Sequence, residues 1–471
     1  MGLRLRMTAT SLAFSLIPFL LVGLFMLLVA REAIIDQAFD QLVSVRDIRQ
    51  DRLENFFDEK RASMDVLLAA AANYQDSAEQ RQQAVLHTRQ AQVERFFNIR
   101  LQHLEVLGDT LIVAEALDQF SRQVNNSAGG ENGRSRRVVA DRNWQLLADH
   151  YDRFFMPYRD QLGYDDVLLM DTSGTVIYTL QRRADLGQQL DAASIRGSTL
   201  AEGYRRAMDG ENTVADFESY PPANGQRRAF LLTHVHRDGE LLGVMALALD
   251  LADLDALVQD DSGLGESSAA YLVGEMGGKR GFRSAPSGSF DNTQNSALQH
   301  FASEIDWSLA GQMGVATSMG RGERLRLVAY GPVEIPGLHW GLVMAVDMEE
   351  VLAPSLPDEK EDFFGRYVIE HNLHDLMLIH REGEVFYSVQ HHGEYETNVF
   401  TGSQGSSQLA PLIRSALESG DFVVSDYLPY AVHDGQPFLF MARPLVIGGH
   451  TDLVVVMVLD DNAIDYIMSE S

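Results

Sequence analysis

Residues 7–30 form an uncharged, mostly apolar run that includes Leu12, Phe14, Ile17, Leu20, Leu24 and Leu28. At about 1.5 Å per residue, a helix of this length crosses a hydrocarbon layer of about 30 Å. The run is longer than the apolar part of a signal peptide and lacks a clear small-x-small cleavage site, so an uncleaved anchor is expected. Arg4 and Arg6 precede it, while Glu32, Asp36 and Asp40 follow. That asymmetry places the N-terminus in the cytoplasm and everything after residue 30 outside. No later run is as long; residues 453–459 are strand-like and bounded by Asp452 and Asp460.

From residue 31 to about residue 73, apolar positions recur at three- and four-residue steps without Gly or Pro, predicting one amphipathic stalk helix. Arg52-Leu53-Glu54-Asn55-Phe56-Phe57 is echoed by Gln92-Val93-Glu94-Arg95-Phe96-Phe97. The echo marks either a duplication or two helices with similar core faces. Residues 125–137 read as a loop, with helical periodicity resuming near Trp144 and Phe155.

At Tyr164 the period shortens to that of strands. Val167-Leu168-Leu169-Met170, the turn Asp171-Thr172-Ser173-Gly174 and Thr175-Val176-Ile177-Tyr178 predict a hairpin. A helix at 200–208 and strands at 213–217, 230–235 and 241–249 follow, which suggests an antiparallel sheet with helices on one face. The pattern returns about 210 residues later. Asp166, Gly174, Tyr178, Asp216, Tyr220 and Phe230 find counterparts in Asp375, Gly383, Tyr387, Asp426, Tyr430 and Phe440. Between the copies lies a further strand-rich segment, closed by a hairpin around Pro336-Gly337.

Composition narrows the function. A chain of 471 residues exceeds one core and suggests about three modules. The formal charge of -29 repels phosphate backbones, so nucleic acid is a poor partner. With no cysteine, disulfides, thiolate metal sites and a cysteine nucleophile are excluded. No phosphate loop, nucleophile elbow, H-E-x-x-H or dinucleotide fingerprint occurs, so neither an enzyme nor a cofactor is expected. His234-Val235-His236 could place two imidazoles on one strand face, and His391-His392 sits in a loop. Both read better as ordinary strand and surface residues than as metal ligands.

A sheet module that binds a small polar ligand needs an apolar floor and a few fixed polar groups. Tyr178, Asp216, Tyr220 and Phe230 fall on strands and a loop that would line one face. Asp216 could pair with a ligand ammonium, and Tyr178 and Tyr220 could stack against it. Tyr164, Trp144 and Arg182 could cap the site. The alternative is structural: Tyr178 and Phe230 as core aromatics and Asp216 as a turn cap.

The order of a single span, a long exported helix and sheet modules resembles the extracytoplasmic double Cache sensor region of bacterial chemoreceptors and sensor histidine kinases. Gly163-Tyr164-Asp165-Asp166-Val167, Asp216-Phe217-Glu218-Ser219-Tyr220, Tyr271-Leu272-Val273-Gly274 and Pro336-Gly337-Leu338-His339-Trp340 carry the likeness over most of residues 31–353. The resemblance implies an α+β chain with PAS-like antiparallel sheet modules, the distal type occurring twice. It divides into a cytoplasmic segment 1–6, a membrane helix 7–30, a helical stalk and bundle 31–160, a distal module 161–260, a proximal module 261–353 and an additional module 354–471 repeating 164–250. It further implies a single-pass protein of the cytoplasmic membrane, its bulk periplasmic or extracellular. Such a protein would dimerise through its stalk and pass a small-molecule signal along its helices. Two departures stand out: an extra module replaces the usual second span, and the chain ends at Ser471, as a fragment of a larger receptor would. An exported adaptor using the same modules for protein contacts is the alternative, and a kinase or cyclase output would lie beyond the sequence.

Overall fold

A computed structural model describes residues 3–126, 138, 141–191, 195–260, 265–276, 279–285, 298, 301–319, 324–354, 360–401, 407–433, 435–447 and 450–462. Side chains of residues 3–19, which include residues 7–19 of the expected span 7–30, lie outside the described residues. Among the described residues, no helix is long and apolar enough to cross a membrane. The stalk and the second helical stretch are one element, α1 (Leu3–Gly108). No Gly or Pro lies between residues 31 and 107, so nothing in that stretch interrupts the hydrogen-bond ladder.

The chain forms two compact units, residues 71–363 and residues 1–70 with 364–471. In the first unit, the helices α2 (Leu111–Asn126) and α3 (Arg142–Asp160) precede the strands β1 (Asp166–Asp171) and β2 (Val176–Thr179). The helix α4 (Thr199–Met208), the strands β3 (Thr213–Ser219), β4 (Arg227–Arg237) and β5 (Glu240–Leu249), and the helix α5 (Ala252–Val258) complete the distal module. Its sheet runs β2-β1-β5-β4-β3, antiparallel throughout. Helices cover both faces rather than one. Leu169, Leu231 and Leu247 pack with α2, α3 and α1, while Met170, Leu232 and Ala246 pack with α4. Every residue of β1 is buried, so neither face can be left wet.

The proximal module follows with β6 (Ala269–Met276), β7 (Lys279–Phe282), α6 (Ala302–Leu309), β8 (Gly314–Met319), β9 (Leu325–Ile335), β10 (Leu338–Asp347) and α7 (Met348–Leu352). The order is again edge hairpin first, β7-β6-β10-β9-β8. Trp340 on β10 sits between Phe97 of α1 and Phe217 of β3, with ring centroids 5.4 and 6.1 Å away. It ties both modules of this unit to the helix.

The second unit holds α8 (Phe363–Glu370), β11 (Asp375–His380), β12 (Val385–Ser388), α9 (Leu409–Ser419), β13 (Val423–Val424), β14 (Leu428–Pro429), β15 (Pro437–Ile447) and β16 (His450–Leu459). Its sheet repeats the pattern as β12-β11-β16-β15-β13, with β14 also paired to β15. The register repeats too: Leu169 opposes Tyr178 as Leu378 opposes Tyr387, and Phe230 opposes Ala248 as Phe440 opposes Val458. In this unit α1 lays Met64 and Leu67 inward, and Lys60 reaches the His371 carbonyl at 3.3 Å. Burial outweighs the nearby Glu59 charge and draws the Lys60 ammonium below its ordinary range.

Candidate functional site

The seven residues singled out in the sequence do not converge. Tyr178 faces the helices, ringed by Phe120 and Phe155, and its hydroxyl donates to Asp152 Oδ1 at 2.7 Å. Arg182 binds the other Asp152 oxygen at 2.6 Å and lies over the Trp144 ring, whose Nε1 donates to the Ile177 carbonyl. Tyr164 is buried on the same side, its hydroxyl 3.2 Å from His103 Nδ1, and burial pushes its phenol up to about 12. Tyr220 and Phe230 belong to the opposite face, edge to face with centroids 5.0 Å apart. The expectation that Tyr178 and Phe230 share one face is therefore corrected. A bulge pairs Leu169 with Tyr178 but Met170 with Val176, so counting by twos along β2 puts Tyr178 on the wrong side.

Asp216 is also corrected. It is buried, and Arg283 Nε donates to both its oxygens at 2.8 and 2.7 Å. Its charge is already matched by the proximal module, which leaves it a structural joint rather than a free carboxylate.

What does converge is one end of the distal sheet, where β1 and β4 begin and β2 and β3 end. Asp166 Oδ1 accepts the backbone N–H groups of Val167 and Gln181, and its Oδ2 accepts the Thr179 hydroxyl at 3.1 Å. These bonds tie the loop after the hairpin to the start of β1. Desolvation dominates nonetheless and raises the Asp166 carboxyl to about 7. Beside it, burial works against Asp165, yet hydrogen bonds from Arg183 at 2.7 Å and Arg228 at 2.6 Å hold it below the usual carboxylate range.

Asp185 lies deeper. It is fully buried, and Tyr220 donates to its Oδ2 at 2.5 Å. Its Oδ1 is buried without a well-formed hydrogen bond, although the backbone N–H groups of Asp185 and Leu186 pull the carboxyl down against burial. Burial raises this carboxyl, and burial followed by the Asp185 charge drives the Tyr220 phenol up. A buried carboxylate oxygen without a well-formed hydrogen bond is costly, on the order of 1–3 kcal/mol, and is rare in folded proteins. Among the candidates, only Tyr220 touches this group. Asp185, Asp166, Arg183 and Arg228 escape the sequence pattern because their chemistry appears only when loop, strand start and strand end meet. The recurrence of an acid two residues after the paired basic positions, Asp185 and Glu394, is the one available signal.

The corresponding end of the third sheet keeps the frame and changes its contents. Asp375 accepts from Leu376 N, Gln390 N and the Ser388 hydroxyl, as Asp166 does from its counterparts. Arg182 and His391 both take positive φ at the same loop position. Where the distal module has Asp165, Arg183, Asp185, Ala223 and Arg228, this one has His374, His392, Glu394, His433 and Phe438. Desolvation draws the His374 and His433 imidazoles below their ordinary range. His392, expected in solvent, is half-buried among them. The His234 and His236 rings do stand 4.8 Å apart, yet they gather no third ligand among the described residues.

The family model for the Cache domain matches residues 30–355. The chain belongs to the Cache domain family. Solved sensory and ligand-binding domains of chemoreceptors are similar to it at low identity. The sensory domain of the Campylobacter jejuni chemoreceptor Tlp3 with isoleucine bound is 13% identical, covering 60% of this chain and 97% of that one at a TM-score of 0.40. The ligand-binding domain of the Pseudomonas fluorescens chemoreceptor CtaA in complex with L-serine is 14% identical, covering 59% and 97% at 0.35. That of the Pseudomonas aeruginosa PAO1 amino acid chemoreceptor PctB in complex with L-Gln is 16% identical, covering 58% and 92% at 0.36. No curated protein matches the chain. The Cache match ends at residue 355, so the third sheet lies beyond it.

Proposed function

We propose that this Cache domain is the sensory input of a membrane-anchored receptor and recognises a small molecule bearing an ammonium or comparable donor at the Asp185–Tyr220 end of the distal sheet. One observation carries the reading: the Asp185 oxygen that is buried without a well-formed hydrogen bond. An ammonium placed there would satisfy it and restore the ionised carboxylate that burial disfavours. Arg183 acts on Asp185 and is ion-paired with Asp165, so a carboxylate on the same ligand would compete with Asp165 for it, and amino acids, which carry both groups, are the first probes.

Anchoring is supported by the charge-free run at residues 7–30 and by exposed apolar side chains from Leu20 to Leu27. A stalk dimer is supported by Ile35, Phe39 and Leu42, which are exposed at steps of four and three residues on one side of α1. Ligand binding would then shift the stalk helices, by no more than its differential affinity for the two arrangements. No catalytic step belongs to this reading.

Calorimetric titration of the full chain with a panel of amino acids is expected to find a binder whose affinity falls at least about tenfold in Asp185→Asn, a change of about 1.4 kcal/mol. Unchanged affinity in that variant would remove Asp185 from the site.

A further inference from the structure

Three histidines in the third module meet in a way that their counterparts in the distal module do not allow. His374 lies just before β11, His392 in the loop after β12, and His433 in the turn before β15. One nitrogen of each lies within 4.8 Å of the other two. The His374 and His392 rings are parallel, with centroids 5.8 Å apart, and His433 stands edge-on to them at 5.0 and 4.5 Å.

Ring stacking alone leaves two groups unexplained. His374 Nε2 and His392 Nδ1 are buried with no hydrogen-bond partner. A fourth donor is also at hand: Glu394 is buried, and its Oε1 lies 3.5 Å from His433 Nε2. Phe438 closes one side, its ring 4.6 Å from that of His374 and 4.7 Å from that of His433. Three imidazoles and one carboxylate are the donor set of a tetrahedral zinc-type centre, with metal–nitrogen bonds of about 2.0–2.1 Å. Two of the three imidazoles sit on loop or turn backbone, so drawing their nitrogens inward asks no strand to move.

We propose that His374, His392 and His433, with Glu394 as fourth donor, bind a divalent transition-metal ion of the zinc class. The ion would join the loop after β12, the turn before β15 and the start of β11. In the distal module, ion pairs centred on Asp165 join two of the equivalent places, the loop after β2 and the start of β1, to strand β4 rather than to the turn before it.

The test uses the untagged full chain in detergent, stripped with a chelator and titrated with Co²⁺, then with Zn²⁺ in competition. One Co²⁺ per chain with the intense visible bands of a tetrahedral site, displaced by Zn²⁺, is expected. His392→Arg, which installs the distal module's side chain, and His433→Gln should each abolish the bands. Each should weaken Zn²⁺ by more than the roughly 10–100-fold typical of outer-shell changes. A variant with both His234→Gln and His236→Gln should bind as the parent does. Weak pale binding at several ions per chain, absence of binding, or bands that persist in His392→Arg would each overturn the proposal. Should that variant unfold, the parent's stoichiometry and spectrum decide alone.

Discussion

The distal and third modules share a frame and differ in what the frame holds. Both sheets have the same strand order and register, and Asp166 and Asp375 accept the same two backbone N–H groups and one hydroxyl. At the positions this frame presents, one module carries arginines closed on Asp165 and the other carries histidines around Glu394. The backbone arrangement thus depends on the buried carboxylates, while the side chains displayed above them are free to differ.

The sharpest separation is expected at Asp216 and Asp426, which the repeat makes equivalent. Asp216→Ala leaves Arg283 buried and unpaired and should cost about 3–5 kcal/mol in urea unfolding. Asp426 is exposed, and Asp426→Ala should stay within about 0.5 kcal/mol. Equal costs would break the distinction between joint and surface. Next come the frame carboxylates. Asp166→Ala and Asp375→Ala each strand two N–H groups and a hydroxyl, so both should lose about 3 kcal/mol or more. A small loss in one of them would show that the frames are not equivalent.

Asp166 should also reveal itself through pH. Its folded carboxyl titrates near 7, above the ordinary value near 4, so it stabilises the fold fully below about pH 4. That contribution is lost as pH rises through 7, a fall on the order of 2–4 kcal/mol that Asp166→Asn should flatten. A parent chain whose stability rises over this window just as steeply as that of Asp166→Asn would contradict the assignment. The smallest effect is expected at the exposed Arg61–Asp421 pair, where Arg61→Ala should leave the unfolding midpoint unchanged within error.

The sheets were legible in the sequence because alternation and the recurrence of Asp166, Tyr178, Tyr220 and Phe230 survive in any register. The site was not. The bulge at β2 inverts Tyr178, and no local rule signals it. Asp216 looked free because its partner, Arg283, lies in the next module. Asp185 and His392 sit in loops, where polarity is the default and burial depends on chain segments far away.

The capture of each loop by a fully internal acid has a practical corollary. Since Asp166 and Asp375 fasten the returning chain by its main-chain amides, the residues riding on that return behave as an exchangeable cassette. Transplanting His392 and Glu394 with their two partners onto the distal frame should then carry their chemistry there without asking the loop to find a new path.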